Sequence, residues 1–169
     1  MRQRPKPHPS ARVAAVAPET ARRFTSVIAS VAVHLDDIRH FHAKALGISG
    51  PQFAILLTIQ RLDEGEGISV RHVARALHVD SSFITTQSKL LEKKALIRRR
   101  VDAADARVVN LSLSDKARRQ IEGLAEAEAD LNGFIFDGIS DDALQQVTTT
   151  LDDLEQRLAK ASLRIAAGL

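Results

Sequence analysis

The sequence predicts a mainly α-helical fold, a winged helix-turn-helix with a small β-hairpin wing and long N- and C-terminal dimerisation helices. Two features of residues 69–113 predict its centre. Apolar residues recur at helical spacing on both sides of a turn at residues 78–80, and the pattern changes to strict alternation over residues 109–113. At both ends of the chain, apolar heptads run too long for a local core, which indicates partner helices.

The two short helices begin at residues that favour helix starts. Ser69 is a good N-cap for the first helix. Asp80 or Ser81 can cap the second, which we expect to end near Lys94. The turn between them is therefore short, as in a helix-turn-helix.

The wing follows these helices. Residues 97–100 and 107–113 should form its two arms around a polar loop, residues 101–106. Ile68 is expected to add a short strand beside them.

The exposed side of the second short helix carries side chains suited to reading DNA. Short polar groups reach base edges from a helix in the major groove, whereas Ile84 and Leu91 should point into the core. An ordinary solvated helix face would explain any single residue of this side about as well. It does not explain the succession of helix, turn, helix and basic hairpin. The candidate DNA-binding residues are Ser69, Arg71, Ser81, Ser82, Thr85, Thr86, Gln87, Lys89, Arg100, Asp105 and Arg107.

Arginines surround this face and are expected to contact phosphate oxygens or a narrow minor groove. They are Arg71, Arg75, Arg98, Arg99, Arg100 and Arg107. Asp105 and Arg107 are expected to pair and to aim the wing tip at the minor groove.

The stretch of residues 69–113 resembles the MarR family of bacterial regulators. The family's wing signature, an Asp followed by Asp-x-Arg before an alternating strand, is matched by Asp102, Asp105 and Arg107. The resemblance covers about residues 20–163. It implies a homodimeric transcriptional regulator, in most cases a repressor, which binds double-stranded DNA at a pseudo-palindromic operator.

The resemblance also implies a small-molecule effector, often an aromatic or phenolic acid or its coenzyme A thioester, bound between the dimer helices and the reading domain. The candidate ligand-binding residues are His34, Arg39 and His42, which are polar groups beside an apolar seam. A histidine of the core is the other interpretation of His42. His40 and His42 are a weak metal pattern, because residues two apart on a helix point in different directions. No cofactor or metal is expected.

Four positions depart from the family pattern. His78 and Ala95 stand where the family often has Gly, and a left-handed backbone there would cost roughly 1 kcal/mol, so both turns are expected to differ in shape. Gln87 replaces an apolar residue, so it either faces DNA or is a partnered polar group in the core. The Arg common at the position of Thr86 is missing, so no base preference is carried over from the family.

Composition excludes several classes of protein. The chain has 169 residues and no cysteine, which leaves no disulfide, thiolate metal site or thiol redox switch. It lacks an apolar run of roughly 18–20 residues and a signal-peptide core, so a cytoplasmic protein without a membrane anchor is expected. The sequence contains neither a Gly-rich phosphate loop nor a G-x-S-x-G motif, so an enzyme is not expected. A non-specific nucleoid-type DNA-binding protein without a ligand switch is the alternative.

The charge is concentrated in the proposed reading module. Residues 71–107 contain nine basic and four acidic side chains, a net charge of +5, whereas residues 114–169 contain six and eleven, a net charge of −5. Such an excess of positive charge would neutralise phosphate groups of DNA.

The expected domains follow from these patterns. Residues 1–19 hold four of the five prolines and form a disordered basic tail or, less favourably, a DNA-contacting arm. Residues 20–46 form the N-terminal dimerisation helix, residues 47–113 the DNA-binding domain and residues 114–169 the C-terminal dimerisation helices. The seam of the first helix comprises Phe24, Ile28, Val31, Leu35, Ile38, His42 and Ala45.

The remaining helices are marked by caps and breakers. Pro51 fits the first turn of a helix after the break at residues 47–51. Ser114 should cap one long helix that weakens near Gly133 and Gly138, and Ser140 should start the last helix. Its seam comprises Leu144, Val147, Leu151, Leu154, Leu158, Ala161 and Ile165.

Overall fold

The computed structural model describes residues 16–168. Most of the predicted tail therefore lies outside the described residues. The helices are α1 (Pro18–Ala45), α2 (Gly50–Leu62), α3 (Val70–Ala76), α4 (Ser81–Lys93), α5 (Asp115–Glu122), α6 (Ala125–Ile135) and α7 (Asp141–Ala166), and the strands are β1 (Ile68–Ser69), β2 (Ile97–Val101) and β3 (Val109–Leu113). The fold class is confirmed, since helices dominate and the strands form one small antiparallel sheet.

The helix starts follow from local chemistry. Ser69 accepts a hydrogen bond from the backbone N–H of His72, and the Asp80 carboxylate accepts one from Ser82, so the first of the two caps considered for α4 is the one used. α1 begins at Pro18, two residues earlier than expected, because proline fits the first helical turn.

A sheet and helix core hold the reading module together. β3 lies between β1 and β2, with Ile68 opposite Leu111 and Ile97 opposite Leu113. The alternation of β3 buries Leu111 and Leu113 on one face. They belong to a core that also contains Phe53, Ile55, Leu56 and Ile59 of α2 and Ile84 and Leu91 of α4.

Both non-glycine turns adopt the left-handed backbone. His78 has a φ of 53° and Ala95 a φ of 57°. The expectation that these turns would differ in shape is not confirmed. Each follows a helix whose last carbonyls need partners, and the N–H of Ala95 donates to the carbonyl of Glu92 at 2.8 Å.

The second arm of the wing starts later than predicted. Arg107 lies in a turn, and β3 begins at Val109. The N–H of Val108 donates to the carbonyl of Asp105 at 2.9 Å, and this hydrogen bond closes the turn before the strand begins.

The single long helix predicted after Ser114 is wrong. α5 ends at Glu122 and α6 starts at Ala125, with a turn at Gly123 and Leu124 between them. Glycine is a poor helix former, and the N–H of Leu124 bonds to the carbonyl of Ile121, which tightens the last turn. Gly133, by contrast, is accommodated inside α6.

The chain divides into two compact units, with the boundary after Gln120. In the first unit, the seam of α1 is largely exposed, with Leu35 at 51% and Val31 at 47% of full exposure. In the second unit, α6 and α7 contain no buried residue. The apolar stripe of α7 is open at Val147, Leu151, Leu158 and Ile165.

Candidate nucleic-acid interface

α4 presents two chemically opposite faces. Ile84 and Leu91 are fully buried, as predicted. The other side is polar, and its members recur at the spacing of one helical face. They are Ser81, Ser82, Thr85, Thr86 and Lys89, all exposed except the half-buried Thr85.

The threonine hydroxyls of this face are bonded within the helix. Thr85 Oγ1 donates to the carbonyl of Ser81 at 2.9 Å, and Thr86 Oγ1 donates to that of Ser82 at 3.0 Å. The hydrogen bond between Asp80 and Ser82 lowers the pKa of the Asp80 carboxyl group below its ordinary value. The start of α4 therefore carries an ionised cap at neutral pH.

Gln87 adopts the second of the two roles considered for it. Its Oε1 accepts a hydrogen bond of 3.0 Å from Nε2 of Gln52, which is buried. Oε1 of Gln52 in turn accepts from the N–H of Ser49, completing a capping box at the start of α2. Gln87 is thus a partnered polar group between α2 and α4.

Two of the arginines assigned to phosphate contacts are engaged within the protein. Arg99, with a side chain only 13% exposed, donates to Oγ of Ser88 and approaches Glu92 at 3.6 Å. Arg98 forms a 3.1 Å ion pair with Asp115. Arg99 points inward because it lies on the face of β2 that packs against α4, so it anchors the reading helix.

The wing loop is ordered by two carboxylates. Asp102 accepts from the backbone N–H groups of Ala104 and Asp105 and from Nδ2 of Asn110 at 3.0 Å. The two backbone hydrogen bonds, then that of Asn110, lower the pKa of Asp102.

The expected pairing of Asp105 with Arg107 is present in the structure. Arg107 donates to Asp105 from Nε at 3.0 Å and from a terminal nitrogen at 3.2 Å. Arg107 lowers the pKa of Asp105. Since a lowered carboxyl pKa means that the pair is lost only as the pH falls below the ordinary range of Asp, the wing keeps this geometry at neutral pH.

A groove of about 990 Å³ runs between α3, α4 and the wing. Its lining includes five of the predicted DNA-binding residues: Ser69, Arg71, Ser81, Thr85 and Arg107. Arg75 and His72 also line it. The sequence predicts a phosphate contact for Arg75 but no role for His72, whose Nδ1 lies in hydrogen-bonding contact with Oγ of Ser69 at 2.9 Å. Arg100, on β2, is exposed outside this lining.

The candidate ligand residues are dispersed on α1. His34 is exposed, Arg39 forms a 2.7 Å ion pair with Asp36, and His42 is buried against Phe53, with 6.1 Å between ring centroids. His42 is therefore a histidine of the core, and none of the three lines the groove.

Residues 16–168 contain no helix long and apolar enough to cross a membrane. Within the same range, no three His, Cys, Asp or Glu side chains are grouped as metal ligands.

Comparison with known proteins shows what this module is similar to. A family model described as MarR family matches residues 46–108. The chain is 38% identical over 68 residues to the HTH-type transcriptional regulator TtmR of Methylorubrum extorquens, an alignment covering 40% of this chain and 33% of that protein. It is 26% identical over 111 residues to the HTH-type transcriptional regulator PecS of Dickeya dadantii, covering 66% of this chain and 67% of that one. The chain thus spans about a third and two thirds of the lengths of these relatives.

Solved structures share the fold. A MarR protein from Peptoclostridium difficile superimposes with a TM-score of 0.70 at 23% identity, covering 94% of this chain and 99% of that one. The MepR–DNA complex of S. aureus gives a TM-score of 0.67 at 18% identity, covering 79% and 97%. The winged helix-turn-helix of this chain, residues 46–108, is thus similar in sequence to the MarR family, and its fold is that of solved MarR proteins.

Proposed function

We propose that the chain is a sequence-specific, dimeric transcriptional regulator, a repressor whose release from DNA is controlled by a small aromatic acid or its coenzyme A thioester. The observation that carries DNA binding is the groove between α3, α4 and the wing. It joins two residues of the polar face of α4, Ser81 and Thr85, to Arg71, Arg75 and Arg107. A polar helix beside cations matches the division between base contacts and phosphate contacts in protein–DNA complexes.

Two further findings support this proposal. Relatives matched in sequence are named as HTH-type transcriptional regulators, which favours a regulator over an enzyme. Two proteins of similar fold, MepR and AbfR, were solved bound to DNA. A non-specific nucleoid-type protein remains the rival, and it would bind all sequences equally without responding to small molecules.

The wing arginine provides the test. A high-affinity duplex is selected from a random pool, and binding of the full chain to it and to a scrambled duplex is measured by fluorescence anisotropy at several salt concentrations. Arg107→Ala should weaken both complexes by a similar factor and reduce the salt dependence by about one phosphate contact. Arg157→Ala, which removes an exposed arginine of α7, is the matched control.

Thr86→Ala should have a different effect, reducing the difference between the two duplexes by about 1–3 kcal/mol if a base contact is lost. Equal affinity of the wild-type chain for both duplexes would favour the nucleoid-type alternative. If Thr86→Ala, like Arg107→Ala, weakens the complexes with both duplexes by the same factor, α4 is not the reading helix.

A further inference from the structure

Two threonines on the polar face of α4 already use their hydroxyl protons inside the helix. Thr85 and Thr86 each donate to the carbonyl four residues earlier. Because a hydroxyl has a single proton, these two oxygens offer only lone pairs to an approaching base edge.

Long donor side chains are scarce on the same face. α4 contains no Arg or Asn, and its amide, Gln87, is held by Gln52 away from the reading face. Lys89 is the long donor that lies on this face. The remaining recognition chemistry at its centre is therefore an acceptor oxygen together with a methyl group, which threonine supplies.

This combination complements one base pair in the major groove. Adenine presents its N6 amino donor there, and its partner thymine presents a 5-methyl group. A G·C pair has the cytosine amino group but no methyl, and the two guanine acceptors would face the threonine lone pairs unfavourably.

We propose that Thr86 reads an A·T base pair, with Oγ1 accepting from adenine N6 and the γ-methyl packing on the thymine 5-methyl. The inference rests on the proposed sequence-specific DNA binding. Thr86 carries the contact because it is exposed, whereas Thr85 is half-buried beside Arg99, which approaches its carbonyl at 3.4 Å.

The test removes the methyl group from each partner separately. A high-affinity duplex is selected with the full chain from a random pool, and each thymine is replaced in turn by deoxyuridine. At one thymine of each half-site, the wild-type chain should lose about fourfold in affinity, the value of one buried methyl group. Thr86→Ser should lose the same factor on the unmodified duplex and show no further loss with deoxyuridine at that position.

Two variants sharpen this cycle. Thr86→Val keeps a methyl group and removes the acceptor, so it should remain sensitive to deoxyuridine but become insensitive to replacing the paired adenine by purine, which lacks the N6 amino group. Thr149→Ser is the matched control, since Thr149 is also exposed and donates to the carbonyl four residues earlier, on α7. It should behave as the wild-type chain does.

The outcomes separate the two proposals. If Thr86→Ser still shows every loss of affinity that deoxyuridine causes in the wild-type chain, Thr86 does not read an A·T pair. Sequence-specific binding would then still stand. A random pool from which no sequence is enriched overturns the proposed function and this inference with it.

Discussion

Ala95 has a strained, left-handed backbone at a turn that the fold requires. Its φ of 57° closes the turn after α4, and its carbonyl accepts a hydrogen bond of 2.8 Å from Oγ of Ser114. A side chain with a Cβ pays about 1 kcal/mol for the left-handed region. The turn keeps its shape because backbone hydrogen bonds on both sides outweigh that amount.

We therefore predict that Ala95→Gly raises the free energy of unfolding by about 1 kcal/mol. Urea denaturation followed by circular dichroism measures it. Ala54→Gly, within α2, is the control and should destabilise by about 1 kcal/mol, since the backbone there is already helical. A loss of stability from Ala95→Gly comparable to that of the control would contradict the strain at this position.

At the scale of elements, the sequence identified those whose signals are local. Caps at Ser69, Asp80 and Ser140 and the alternation of β3 are contained within a few residues. The three helices begin where the sequence predicts, and β3 begins two residues after its predicted start. The break between α5 and α6 was missed because a single glycine is tolerated in many helices, as Gly133 is in α6.

Contacts between elements were harder to predict than the elements themselves. Arg99 and Ser88 are eleven residues apart, and their hydrogen bond depends on how β2 lies against α4. The sequence shows three consecutive arginines, and only the strand pairing determines which one points inward. For the same reason the sequence does not decide whether Gln87 faces DNA or is a partnered polar group, since its partner Gln52 is 35 residues away.

The Gln52–Gln87 hydrogen bond joins α2 to α4, and we expect it to stabilise the fold. Gln87→Leu should lower the free energy of unfolding by about 1–3 kcal/mol, because the buried amide nitrogen of Gln52 loses its acceptor. Gln87→Glu keeps an acceptor at this position and should be milder. Thermal or urea denaturation distinguishes them, with Lys89→Ala as an exposed control on the same helix.

The effect of Gln87→Leu on DNA binding separates its two candidate roles. A positioning role predicts that affinity for selected and scrambled duplexes falls together. Unchanged stability with a selective loss on the selected duplex would instead assign Gln87 to base recognition.

At the scale of the whole molecule, exposed apolar stripes indicate an assembly. α7 leaves Val147 55% and Leu158 65% exposed along a stripe that spans three heptads, and α1 carries another. Exposed apolar patches of this length usually mark interaction surfaces. The sequence predicted the stripes from periodicity, but a single chain gives no information about what covers them.

We predict that the chain is a dimer at micromolar concentration and that Leu151→Asp with Leu154→Asp produces monomers or destabilised protein with poor DNA affinity. Charges placed in an apolar interface lose hydration without gaining a partner. Light scattering after size-exclusion chromatography measures the mass. The control Thr149→Asp with Gln156→Asp adds the same charge on exposed polar positions of α7 and should remain dimeric. A monomeric wild-type chain would refute the prediction.

Control by a small molecule is the last property proposed for the whole molecule, and its size has a physical limit. An effector can weaken DNA binding only by the ratio of its affinities for the two conformations, typically 5–150-fold. On α1, Arg39 is the candidate group best suited to a carboxylate, because guanidinium and carboxylate pair bidentately. Its present partner, Asp36, is half exposed and could be exchanged for a ligand.

We predict that a panel of aromatic carboxylic acids and their coenzyme A thioesters contains a compound that releases the selected duplex, as measured by anisotropy. Arg39→Ala should raise the concentration needed for half-release about tenfold, the loss of one charge-assisted hydrogen-bonded contact, with DNA affinity in the absence of ligand unchanged. Arg22→Ala is the matched control, since Arg22 forms an equivalent pair with Glu19 three residues earlier on the same helix. His42→Ala is less informative, because His42 is buried against Phe53 and its loss would disturb packing. If no compound releases DNA, the proposed ligand class is wrong, and if Arg39→Ala responds like the wild-type chain, the effector binds elsewhere.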